Sequence, residues 1–137
     1  MAPKFKTRDV PKAHFSNYLK RAEECLTAAQ LAFEREEWNS SAINSIHAVI
    51  SLADAMCVYF LGKRNSSENH NDVAGLFKSI KDDEDTNANA NRIIRVLRMK
   101  NMAEYEERLV TRAEAQKMLQ DAERLAEFVR KRVAPVG

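Results

Sequence analysis

Helix breakers are scarce in this chain: 137 residues include 3 glycines and 3 prolines. Together with an abundance of Ala, Leu, Glu, Lys and Arg, that scarcity argues against sheet and for helix. Cysteine is equally sparse. Cys25 and Cys57 both fall on apolar helical positions, which reads as two reduced core thiols, not a disulfide framework. No uninterrupted run of about 18 apolar residues occurs, so no membrane-spanning helix is expected. The opening MAPKFKTRDVPK is charged where a signal peptide would be apolar. A cytoplasmic protein without a membrane partner is expected. The formal net charge of +2 neither demands nucleic acid nor excludes it.

Catalytic signatures are missing as well. None of His14, His47 or His70 has a Glu three residues before it, the spacing that di-iron helical bundles use. There is no CxxC, no HExxH, no Gly-rich phosphate loop and no nucleophile elbow. No metal and no cofactor are therefore expected.

What is present is helical periodicity. Phe15, Tyr18, Ala22, Cys25, Leu26, Ala29 and Phe33 alternate by three and four along residues 12–37, one apolar stripe on a long helix that Asp9 and Pro11 can start. Asn39 or Ser40 is placed to cap a second helix running to Leu61, with Gly62 as its stop. Between residues 39 and 62 the one formally charged side chain is Asp54, so this helix should be buried nearly all round, at the centre or against a second subunit. Ser66 or Ser67 can cap a short third helix bearing Val73, Leu76, Phe77 and Ile80. Residues 81–91, KDDEDTNANAN, read as a polar, acidic loop that begins to coil near its end, and a fourth helix follows with Ile93, Ile94, Leu97 and Tyr105. Thr111 and Glu114 form a capping box that opens a fifth helix, which Pro135 ends. No strand-like alternation is evident. The expectation is an all-α, antiparallel up-and-down bundle of about five helices with a four-helix-bundle-like core. It forms a single domain over residues 12–133, with short tails at 1–11 and 134–137.

Three sets of residues stand out. His47 and Asp54, seven apart, share one side of the central helix with Ile43, Ile46, Ile50, Cys57 and Leu61; they are expected as buried polar groups, because an unpaired buried carboxylate is costly. Arg92, Arg95 and Arg98 make a basic strip on the fourth helix. It is either a solvated face paired with the DDED block at 82–85 or a track for a nucleic-acid backbone. KRNSSENHND, residues 63–72, places Arg64 and His70 outside every apolar stripe and beside a helix start. There the helix dipole would keep His70 neutral, as a general base requires. Arg64, planar and always charged, suits a phosphate.

Three stretches together resemble the HEPN domain family, small helical-bundle proteins of prokaryotic toxin and defence systems. SAINSIHAVISLADAMCVYFLGKR is similar to the family's second helix, ENHNDVAGLF to its following His-led helix, and MAEYEERLVTRAEAQKMLQDAERLAEFV to its closing pattern. The likeness covers most of residues 12–133. Catalytically active members resemble one another in an Arg and a His a few residues apart, often with a polar residue directly after the Arg. Arg64, Asn65 and His70 match that pattern. The resemblance then implies a metal-independent endoribonuclease, toxin-like, whose homodimer brings two such motifs together and in which RNA supplies its own 2′-hydroxyl. It equally admits a non-catalytic module that binds RNA, nucleotide or a protein partner such as an antitoxin or a small nucleotidyltransferase. One departure stands: active members hold the motif deep in a helix, whereas here it spans a loop and a helix start.

Overall fold

The chain folds as an all-α helical bundle in a computed structural model that describes residues 5–133. Five helices of nine residues or more, α1 (Phe15–Glu34), α2 (Trp38–Leu61), α3 (His70–Lys78), α4 (Glu84–Leu97) and α6 (Arg112–Arg132), are joined by one short segment, α5 (Lys100–Tyr105). A 3-10 turn, Lys12–His14, leads into α1. The stop proposed at Pro135 lies outside the described residues; α6 ends at a C-cap on Val133.

The α1 and α2 helices form a hairpin over a tight turn in which Glu36 adopts φ 61°. Opposite them, α6 closes the core against α2 and α4. Each element from α3 to α6 also packs on α2, whose residues from Ser51 to Val58 are all buried. Small side chains explain the close approach: Ala42, Ser45, Ala48, Ala53 and Ala55 are essentially inaccessible, and the Ser41 hydroxyl donates to the Ala29 carbonyl of α1 at 2.9 Å. Ile46, Leu52 and Met56 fill the space between helices. By length and hydropathy (mean 1.4 over 18 residues) α2 would suffice to cross a membrane, contrary to the expectation from apolar runs. Two-thirds of that window is buried by the other helices, which makes it a core helix of the bundle.

Several local expectations change. Asn39 does not cap α2. The N-cap is Glu37, without a side-chain bond, and the Asn39 side chain instead accepts from the Val110 backbone N–H at 2.9 Å, tying the turn before α6 to the hairpin. Neither Ser66 nor Ser67 caps α3; Asn69 does, accepting from Asn71 N–H at 2.8 Å. The acidic block is not a loop, because α4 begins within it. Asp83 is the N-cap and accepts from Thr86 N–H at 2.7 Å, while Glu84 and Asp85 occupy the first turn, where carboxylates complement the helix dipole. That hydrogen bond, with Arg132 at 3.2 Å, holds Asp83 down at a pKa of about 2. Other features follow the sequence reading. Gly62 takes φ 67° after α2, and Thr111 and Glu114 exchange both bonds of the capping box.

Two short strands were not legible in the sequence. Thr7–Asp9 (β1) pairs antiparallel with Lys63–Asn65 (β2), with Arg8 opposite Arg64 and Asp9 opposite Lys63. The ribbon is extended by Val10 N–H to Gly62 O and Ser66 N–H to Lys6 O, both 3.0 Å. Phe5 anchors it by packing on Gly75 of α3, where a Cβ would stand 2.8 Å from the Phe5 ring.

The basic strip finds a partner other than the one expected. Arg95 donates from two nitrogens to Asp121 of α6 at 3.1 and 3.2 Å, with Arg92 at 4.0 Å and Lys117 at 3.6 Å from the same carboxylate. DDED pairs instead with Arg132 and Lys81. Asp121 is 2% exposed, so removing it strands cations around a buried gap. Asp121→Ala should lower unfolding free energy by about 2 kcal/mol, less than for a fully buried pair because Arg95 stays half in water. Arg98→Ala, on the exposed end of the strip, should change it by under about 0.5 kcal/mol; urea unfolding of both variants tests the assignment.

Candidate functional site

The ribbon and the start of α3 build one wall of a cleft of about 470 Å³. Arg64 to Glu68 and His70 line that wall, buried Asp54 of α2 and Leu97 line the cleft with Ile50 and Val73, and Lys100 and Tyr105 of α5 complete the lining. Arg64 and His70 therefore meet in one cavity. Pairing with β1 holds Arg64 in place from outside the helical core, and the Asn69 cap fixes His70 as the first residue of α3.

Asn65 differs in setting from Arg64 and His70. It is buried, and its amide is occupied by the loop: Nδ2 donates to the Ser67 carbonyl at 2.8 Å, and Oδ1 accepts from Ser67 N–H at 3.3 Å. Ser67 Oγ in turn donates to Asp72 at 2.8 Å and accepts from Asn69 N–H at 3.0 Å. The polar run NSSEN thus folds on itself, and this is what spaces Arg64 from His70. Arg64 Nη1 donates to the Asn65 carbonyl at 3.1 Å, leaving its other N–H groups for the cleft.

The electrostatics favour a neutral imidazole. Burial lowers the His70 pKa first, nearby Lys100 lowers it further, and Glu104 opposes them. Desolvation and a neighbouring cation are the causes that lower the His70 pKa. Asp54 behaves oppositely. Burial pushes its carboxyl up to about 7 against the pull of Arg64 and Arg21. The cleft therefore holds an imidazole biased to its neutral form and a carboxyl that titrates near 7, beside the side chains of Arg64 and Lys100.

His47 and Asp54 share a helix face as expected, yet only Asp54 is buried. The His47 side chain is 52% exposed, 3.6 Å from Glu104 of α5. Glu104 also holds Lys100 at 3.1 Å. Neither Arg92, Arg95 nor Arg98 lines the cleft; Arg95 and Arg98 border a separate groove between α4 and α6. Cys57 is buried and free, and Cys25 is half-buried and free. Among the described residues no three His, Cys, Asp or Glu side chains gather as a metal site.

Lys100 and Tyr105 line the cleft but were not singled out as site residues from the sequence; nor was Arg8, which pairs with Arg64 outside the cleft lining. Lys100 follows the basic strip of Arg92, Arg95 and Arg98 by two residues, and Tyr105 lies in the MAEYEERLV stretch already compared with the family's closing pattern, so both carried a signal. Arg8 carried none. The strand register sets it directly opposite Arg64, a like-charged pair that is unfavourable unless an anion or solvent separates the two, whereas Asp9 faces Lys63 with opposite charge.

A family model for the HEPN domain matches residues 15–132. No curated protein matches the chain.

The Asp54 shift has a consequence for stability. Unfolded, the carboxyl titrates near its ordinary 3.8; folded, near 7. Between those values the folded chain binds more protons, so stability falls as pH rises from about 4 to about 7. Asp54→Asn should remove that fall and be more stable than the parent at pH 8 by on the order of 2 kcal/mol, with little difference at pH 4. Parallel pH–stability curves for the two proteins would refute the assignment.

Proposed function

The chain belongs to the HEPN domain family, and from that premise we propose that it acts on RNA as a metal-independent endoribonuclease whose site is the Arg64–His70 cleft. The observation that carries this reading is the convergence of Arg64, His70 and Lys100 on one cavity, with the imidazole held neutral. Arg64 and Lys100 bind the scissile phosphate and the charge that develops on it. His70 accepts the proton of the 2′-hydroxyl as its oxygen attacks phosphorus. The bond to the 5′-oxygen breaks, and Asp54, partly protonated near pH 7, returns a proton to that oxygen. The products are a 2′,3′-cyclic phosphate and a 5′-hydroxyl. Asn65 shapes the loop and does not touch the reacting atoms.

HEPN domains commonly dimerise, and a homodimer is part of this proposal. The apolarity of α2 does not supply the reason, since the helices of one subunit already bury it. Support comes from the exposed Leu109, 71% accessible, at the turn into α6. Light scattering should give the mass of two chains; a monomer at every workable concentration would remove the dimer from the mechanism.

A second reading, a non-catalytic module binding RNA or nucleotide, draws on the Arg64 donor already committed to the Asn65 carbonyl. One set of assays separates the two. His70→Ala and Arg64→Ala should each reduce cleavage of single-stranded RNA by at least about 10²-fold, with melting temperature within about 3 °C of the parent, since neither lies in the core. EDTA should leave the rate unchanged. Binding that weakens steeply with salt, without cleavage by the parent dimer, would establish the binding module instead.

A further inference from the structure

Tyr105 is the least accounted-for residue of the cleft. It ends α5, lines the cavity and is 73% exposed. A large aromatic ring left in water at the mouth of a site lined by cations is suited to a flat, apolar ligand surface. The Lys100 ammonium lies 5.7 Å from the ring centroid, within cation–π range, so the charge that would hold a phosphate and the ring stand side by side. Ile50, Val73 and Leu97 add apolar lining. Cation, aromatic face and apolar lining together match a nucleotide, whose phosphate and base need different surroundings a few ångströms apart.

We infer that Tyr105 is a stacking platform for the nucleobase adjoining the phosphate held by Arg64 and Lys100. The inference rests on the reading of this cleft as an RNA site and names the subsite within it. Stacking uses the face that every base shares. Two polar groups of the same lining, the Asn65 amide and the Ser67 hydroxyl, are bonded within their own loop. Stacking by itself selects unpaired bases of single-stranded RNA with little preference among them.

The test uses a single-stranded 2′-O-methyl oligoribonucleotide carrying 2-aminopurine, which cannot be cleaved through the 2′-oxygen and whose fluorescence is quenched on stacking. The full-length parent should bind it with quenching. Tyr105→Ala should bind on the order of tenfold more weakly and lose the quenching, while Tyr105→Phe and Tyr105→Trp retain both. An oligomer with abasic sites throughout should bind the parent and Tyr105→Ala equally. Equal quenching by the parent and Tyr105→Ala overturns the inference, and so does the same loss of affinity for the abasic oligomer. Dissociation of a dimer by Tyr105→Ala would instead make the ring an interface residue and also overturns it. The two readings fail separately. A parent that cleaves RNA without quenching 2-aminopurine defeats the platform alone, and one that binds with quenching but never cleaves defeats the ribonuclease alone. A parent that does not bind the oligomer at all defeats the platform, and with no cleavage of unmodified RNA defeats both.

Discussion

A helix covered on nearly every side must find surroundings for any polar group it carries, and α2 carries one carboxylate. Its small residues let α1 and α6 approach closely, so most of its surface is packed apolar contact. Asp54 is placed where the short elements β2, α3 and α5 meet α2 and leave space. A charge at any other buried position on this helix would have to be solvated by packed alanine and leucine. The cavity and the carboxylate are thus consequences of one another: short elements cover that part of α2 incompletely, and a group that cannot be fully desolvated sits in the gap.

The rest of the cleft follows from how that gap is walled. Arg64 hangs from a strand held by the N-terminal segment, and His70 starts a helix whose cap, Asn69, belongs to the same polar loop. Lys100 and Glu104 come from α5, one helical turn apart. Burial acts on the two titratable groups in opposite directions, lowering His70 and raising Asp54, because desolvation disfavours whichever form is charged. A neutral base and a partly protonated acid at the same pH are a product of one environment acting on two kinds of side chain.

Charge elsewhere in the bundle is structural. Arg92, Arg95 and Lys117 surround the buried Asp121 and join α4 to α6, while Arg132 ties the end of α6 to the start of α4 through Asp83 and Asp85. The acidic and basic blocks adjacent in sequence do not neutralise each other. They lie at different levels of one helix, and each meets α6.

Helix positions were largely legible from local order. The stripe from Phe15 to Phe33, the left-handed stop at Gly62 and the Thr111–Glu114 box all depend on residues within a turn or two of one another, where spacing and capping chemistry suffice. So did the candidacy of Arg64 and His70, which stand out because no apolar stripe claims them. The start of α4 was missed because Asp83, Glu84 and Asp85 look like a solvated run unless one of them is recognised as a cap. What required the folded chain were the contacts between distant segments. Three residues at 7–9 are too few to show alternation, yet pairing with 63–65 puts Arg8 against Arg64. Asn39 leaves its own helix for Val110, and Arg95 reaches Asp121 rather than the acids ten residues before it. Asp54 could be read as a buried polar group from its neighbours in sequence, but not as a carboxyl near neutrality. That property depends on how much protein closes over it and on which cations stand nearby, and both are set by elements that meet only when the bundle is assembled.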